Sequence, residues 1–115
     1  MDRACAFCRI VAGEDPARIL HVSDSVVAFR DANPKAPTHV LLVPKEHLTS
    51  VAEIEERHGP MLADLFQAAS QLARAEGVAR TGWRLVANTG SDAGQSVHHL
   101  HFHLLGGRRM QWPPG

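Results

Sequence analysis

Eight of the 115 residues are histidines, and His98, His99, His101 and His103 fall within a single short run. Residues 96–105 (SVHHLHFHLL) read as a strand. A strand alternates its faces with period two, so His99, His101 and His103 share one face, with Leu100, Phe102 and Leu104 packed behind and His98 opposite. Successive imidazoles then stand about 7 Å apart. Three polar rings on one face need three sets of partners, and three chemistries compete for them. The face could be merely solvated. It could hold zinc with one position open. It could carry a nucleophile, because an imidazole with a reference pKa near ~6.5 is mostly neutral at cell pH and can attack phosphorus unaided. Flanking histidines would then position phosphate oxygens or supply a proton. The preceding loop favours this third chemistry. Asn88, Gly90, Gly94, Gln95 and Ser96 lead directly into the run. Its glycines allow close backbone approach, successive N–H groups can cradle phosphate oxygens, and Gln95 and Ser96 add side-chain donors.

A second cluster opens the chain. Cys5-Ala6-Phe7-Cys8 contains both cysteines of the protein and has the spacing of a zinc half-site. On a helix the two thiols sit one turn apart and face the same way. A redox pair is the weaker reading, since no strand precedes it. Two small buried side chains are the bland one. No export signal is read in MDRACAFCRI, so a reducing, cytoplasmic setting is expected.

These groups need a scaffold. Residues 4–12 read as a short helix with Phe7, Ile10 and Val11 on one side and Gly13 as its stop. Residues 18–23 and 26–30 read as strands about the turn Ser23-Asp24-Ser25. Pro34 and Pro37 make 33–37 a loop, and 38–43 (THVLLV) is a buried strand. Residues 60–76 form the long helix, with Pro60 in its first turn, Gly77 past its end, and Leu62, Leu65, Phe66, Ala69, Leu72 and Ala73 on one face. Residues 83–88 and 96–105 supply the last two strands, and 106–115 is a tail. The expected architecture is one α+β domain over 1–115: a five-stranded, mainly antiparallel sheet with one long and one short helix.

Composition bounds the partners. Twelve basic residues balance twelve acidic ones, which gives no electrostatic case for a nucleic-acid or membrane partner. No apolar run approaches the roughly 20 residues of a membrane helix.

The run Gln95-Ser96-Val97-His98-His99-Leu100-His101-Phe102-His103-Leu104-Leu105-Gly106-Gly107 resembles the signature of the histidine triad superfamily, His-x-His-x-His followed by apolar residues. The ending Trp112-Pro113-Pro114-Gly115 is similar to its nucleotide-binding branch, the purine nucleoside phosphoramidases, as are Phe29-Arg30-Asp31, Ala36-Pro37-Thr38-His39, Val43-Pro44-Lys45-Glu46-His47 and Asn88-Thr89-Gly90. The resemblance implies a role for each matching position. His101 is the nucleophile that becomes a nucleotidyl-histidine. His103 and His39 serve the phosphate. Asp31 holds the ribose hydroxyls, two acceptors facing two donors. Phe7, Ile10 and Phe29 wall the base pocket, which Ala32 leaves wider than in members with a larger aliphatic residue there. Asn88, Gln95 and Ser96 line the phosphate and leaving-group side. His47 and His99 complete a closed structural zinc site with Cys5 and Cys8. The same resemblance implies a homodimer whose sheet continues through strand 83–88, with Trp112 reaching the partner's site.

The implied activity is hydrolysis of adenosine or guanosine 5′-phosphoramidates to the nucleoside monophosphate and an amine. Two other functions stay open: a dinucleoside polyphosphate hydrolase or nucleotidyl transferase, and a nucleotide-binding regulatory module.

Overall fold

A computed structural model describes residues 3–115. Five strands, β1 (Ile19–Val22), β2 (Val26–Arg30), β3 (Thr38–Pro44), β4 (Trp83–Val86) and β5 (Phe102–Gly106), form one sheet in the order β1-β2-β3-β5-β4. Every neighbouring pair is antiparallel. The short helix α1 (Ala6–Val11) and the long helix α2 (Gly59–Ala75) take opposite faces of the sheet. The α+β architecture read from the sequence is therefore the observed one.

Period-two alternation sorts the central strands between the helices. Val26, Ala28, Val40 and Leu42 turn one way and pack on Leu65, Ala68, Ala69 and Leu72 of α2. Val27, Phe29, Leu41 and Val43 turn the other way, against Cys5, Phe7 and Cys8 at α1. Both faces are covered, so β3 is buried along its whole length. Pro60 opens α2 where a missing N–H is harmless. Past its end, Gly77 turns at φ +78°, a left-handed conformation that glycine adopts without a Cβ penalty. Glu76 there receives both Arg30 guanidinium nitrogens, at 2.6 and 2.9 Å, and so ties the helix end to β2.

The last strand is shorter than the sequence suggests. Pairing starts at Phe102, not at Ser96. The physical reason is Pro44. Continuing the β3–β5 register, in which Leu42 faces Phe102, would set Pro44 opposite Leu100, and proline has no N–H to donate. The Leu100 amide bonds instead to the Leu48 carbonyl at 2.6 Å. The side-chain alternation survives the loss of the ladder: Leu100, Phe102 and Leu104 enter the core on the α2 side. His98 does not join them and is exposed. Strand β4 likewise ends at Val86, two residues early, because its partner strand begins only at Phe102. Three single-turn 3-10 segments, at Val51–Glu53, Glu56–His58 and Ser91–Ala93, fill stretches to which the sequence assigns no helix or strand. No helix among the described residues is long and apolar enough to cross a membrane.

Candidate active site and thiol-imidazole cluster

The histidine face looks toward α1. His99 is wholly buried and His101 nearly so. The ring centres of His101 and His103 are 5.0 Å apart, closer than the 7 Å spacing along an extended strand would give, because the rings tilt toward one another. Phe7 reaches over from α1, with its ring edge-on to His101 at 5.2 Å and to Phe29 at 5.4 Å.

Hydrogen bonds assign the tautomers. His101 Nδ1 lies 2.7 Å from the carbonyl of His99. A carbonyl only accepts, so Nδ1 carries the proton and the lone pair sits on Nε2. Such an imidazole is held in one orientation with a lone pair available for nucleophilic attack. His101 lines a cavity of about 880 Å³ together with Phe7, Ile10, Phe29, Asp31 and Ser96. Ala32 lies on its wall as well. The residues expected from the sequence to wall a base pocket thus line one space with His101.

Beside it lies a smaller, more polar cavity of about 290 Å³, lined by Asp31, Lys35, His39, Asn88 and His103 among others. Asp31 and His103 border both cavities. His39, behind them, does not reach the larger one. Its Nδ1 accepts the Lys35 amide at 3.0 Å, which leaves its proton on Nε2. That Nε2–H is hydrogen-bonded to His103 Nδ1 at 2.9 Å, and Asp31 Oδ2 lies 3.3 Å from the same nitrogen without a hydrogen bond. The three side chains have the makeup of a metal site, but a nitrogen bearing a proton donates and cannot ligate, so the cluster works as a hydrogen-bond relay. Burial, then the nearby His101 and His39, push the His103 pKa down to about 4 against the pull of Asp31. Burial also lowers His39, with Lys35 adding to it and Asp31 opposing. Both rings are therefore neutral at neutral pH.

The loop behaves differently from the sequence expectation. The Gly90 amide donates to Gln95 Oε1, the Gln95 amide to the Gly90 carbonyl, and the Gly94 amide to Ser91. These three amides are satisfied within the loop and form no anion cradle. Gln95 also donates through Nε2 to the carbonyls of Thr49 and Val97, so it closes the loop and reaches neither cavity. Ser96 is the loop side chain at the larger cavity, and Asn88 the one at the smaller. Trp112 is solvent-exposed in this single chain, away from both cavities. The carbonyl of its neighbour Gln111 accepts from Arg84 of β4 at 3.0 Å, a tether from the tail to that strand.

Next to the histidine face, Cys5, Cys8, His47 and His99 converge, with one ligand atom from each within 4.8 Å of the others. Cys5 is the N-cap of α1, and its sulfur accepts the Cys8 amide at 3.3 Å, so the pair spans one turn. His99 Nδ1 lies 3.3 Å from Cys5 Sγ and His47 Nδ1 lies 3.1 Å from Cys8 Sγ. A tetrahedral zinc with bonds of about 2.0–2.3 Å spaces its ligand atoms roughly 3.3–3.8 Å apart, so this donor set fits the ion. His99 Nε2 donates to the Pro44 carbonyl at 2.8 Å, which turns the Nδ1 lone pair to the sulfurs and orients the ligand from behind. Burial lowers the pKa of His99 as well.

The family described as scavenger mRNA decapping enzyme, C-terminal binding, matches residues 4–112. A 14 kDa zinc-binding protein of Zea mays is 46% identical, over 99% of this chain and 90% of its own length. Adenylylsulfatase HINT1 of Arabidopsis thaliana is 44% identical, over 99% of this chain and 78% of its own length. Among solved structures, a HIT family hydrolase from Legionella pneumophila superposes with a TM-score of 0.94 at 46% identity, covering 96% of this chain and 99% of that one.

The buried histidines give stability a pH dependence whose sign follows from His103. Its pKa is about 4 when folded and near ~6.5 when unfolded, so the unfolded chain binds more protons between those values. The contribution is fully present above the unfolded value and is lost as pH falls through the folded one. Urea unfolding at pH 5 and pH 7 should show the protein more stable at pH 7. In His103→Gln that gap should shrink, while His39 and His99 keep part of it.

Proposed function

The chain belongs to the histidine triad superfamily, and from that membership we propose that it is a nucleotide hydrolase of the purine nucleoside phosphoramidase type. The observation that carries the reading is the His101 Nδ1 to His99 carbonyl bond at 2.7 Å, in a cavity large enough for a nucleotide. The base lies between Phe7, Ile10 and Phe29, and the ribose hydroxyls meet Asp31. The Nε2 lone pair of His101 attacks the α-phosphorus and the phosphorus–nitrogen bond breaks, the amine leaving with a proton from solvent. Water then attacks the nucleotidyl-histidine and releases the monophosphate. His103, neutral with its proton on Nε2, donates a hydrogen bond to a phosphate oxygen, and Ser96 and Asn88 serve the phosphate and leaving-group side.

The name of the Arabidopsis relative, an adenylylsulfatase, supports a second reading in which the leaving group is sulfate, displaced from the same phosphorus by the same histidine. Steady-state kinetics on adenosine 5′-phosphoramidate and adenylyl sulfate distinguish the two. On the better substrate, His101→Ala should lower kcat by at least about a thousandfold and leave nucleotide affinity within severalfold. Near-normal turnover in that variant would overturn covalent catalysis.

Structural zinc is the second part of the reading. It is supported by the relatives named zinc-binding proteins and by the fit of Cys5, Cys8, His47 and His99. The ion would supply no chemistry to the substrate. The four side chains would anchor α1 to the sheet. Elemental analysis should find close to one zinc per chain, and stripping it with a chelator should lower Tm by about 5 °C or more. Protein free of metal as purified would instead leave a buried thiol pair.

The third part is a homodimer. Strand β4 is an open edge of the sheet and Phe66 on α2 is half exposed, so a two-fold copy would extend the sheet and cover both. Trp112 then borders the partner's leaving group. Deleting residues 110–115 should leave the dimer intact by light scattering and shift the rate ratio between two phosphoramidates of different amines. An unchanged ratio would show the tail to be a loose end.

A further inference from the structure

Helix α1 and its N-cap divide between two tasks. Cys5 and Cys8 turn to the thiol-imidazole cluster, while Phe7 and Ile10 line the larger cavity. A shift of the thiols therefore shifts the wall. The two ends of that cavity are held in place by unequal means. The histidine run is fixed by bonds that pass through no sulfur. His99 Nε2–H donates to the Pro44 carbonyl at 2.8 Å, the Leu100 amide to the Leu48 carbonyl at 2.6 Å, and His101 Nδ1–H to the His99 carbonyl at 2.7 Å. On the α1 side, Arg9 donates to Asp15 and to the Arg3 carbonyl, bonds that stay within the first fifteen residues. The thiols supply polar contacts from this segment to the sheet side, 3.3 and 3.5 Å to His99 and 3.1 Å to His47. A thiol is a weak hydrogen-bond partner. Two thiolates sharing one metal ion with His47 and His99 hold far harder.

We propose that metal held by Cys5, Cys8, His47 and His99 sets the affinity of the larger cavity for an aromatic base, acting through α1, and leaves the phosphate end of the site alone. With the four side chains joined by the ion, Phe7 and Ile10 stand fixed, and a base packs on them without first ordering them. In the metal-free chain part of the base's binding energy goes into ordering α1, and affinity falls. Such coupling is reciprocal. A base pressed against Phe7 and Ile10 holds the two thiols in ligand position, and so tightens the metal by the same factor. Asp31, His101 and His103 belong to other segments and take no part. The proposal rests on the nucleotide and zinc readings above.

The test compares AMP, which carries a base, with ribose 5-phosphate, which offers the same diol and phosphate without one. Calorimetric titration of zinc-loaded and chelator-stripped protein should show AMP affinity lower by about tenfold after stripping, and ribose 5-phosphate affinity within about twofold. No loss for AMP, or equal losses for both ligands in a stripped protein whose sheet is intact by circular dichroism, overturns the proposal and leaves the nucleotide reading standing. A reciprocal measurement starts from the zinc-loaded protein, so its answer does not depend on how the stripped chain folds. In competition with a chromophoric zinc chelator, saturating AMP should tighten zinc by about tenfold and saturating ribose 5-phosphate by less than about twofold. Zinc affinity that AMP leaves unchanged, or that both ligands raise equally, overturns the coupling. Failure of AMP to bind the loaded protein overturns the proposal and the nucleotide reading together. A chain that takes up no zinc overturns the proposal and the zinc reading.

Discussion

The site depends on one buried imidazole used at both ends. The ring of His99 meets the two thiols through Nδ1 and the Pro44 carbonyl through Nε2. Its backbone carbonyl holds the proton of His101. A wholly buried ring costs several kcal/mol if its nitrogens go unpaired, on the order of the penalty for any buried polar group. Its partners therefore fix the ring, and the ring fixes the segment that carries His101. The absence of a ladder before Phe102 makes this more important. In a regular strand the sheet would orient His101. Here the side chain of the residue two before it takes over that task.

Electrostatics completes the arrangement. His39, His99 and His103 each lose solvent on burial, so charging any of them is unfavourable. Kept neutral, each ring offers one donor and one acceptor, and the donors and acceptors line up: the Lys35 amide to His39, then His39 to His103. This face therefore presents directional N–H groups and few diffuse charges, in a chain with no net formal charge.

Much of this was legible in the sequence, for a reason peculiar to strands. Alternation depends only on extended backbone, so the partition of His99, His101 and His103 from Leu100, Phe102 and Leu104 could be read even though half the segment pairs with nothing. The start of pairing could not, because it is decided by Pro44, more than fifty residues earlier. The convergence of His47 and His99 on Cys5 and Cys8, and the meeting of Asp31, His39 and His103, are contacts between distant parts of the chain. Family resemblance pointed to those residues, and local pattern alone did not. Gln95 shows the opposite case. Its type and place suggested a phosphate donor, but the Thr49 carbonyl that occupies it lies in a loop with no local signal. The 3-10 turns escaped notice because single turns lack a period to detect.

The six residues of α1 are far too few to be helical on their own, since nucleating a helix costs more than one or two turns return. The helix persists because its thiols meet His47 and His99 and because Phe7 packs against the rings of Phe29, His99 and His101. Yet α1 brings Phe7 and Ile10 to one wall of the larger cavity. That wall is thus a separate cooperative unit, which can come away while the strands behind it stay paired. Amide hydrogens of α1 and of β3 would then exchange with solvent on different clocks. The slower records global unfolding, and the faster records how often the cavity stands open to a ligand.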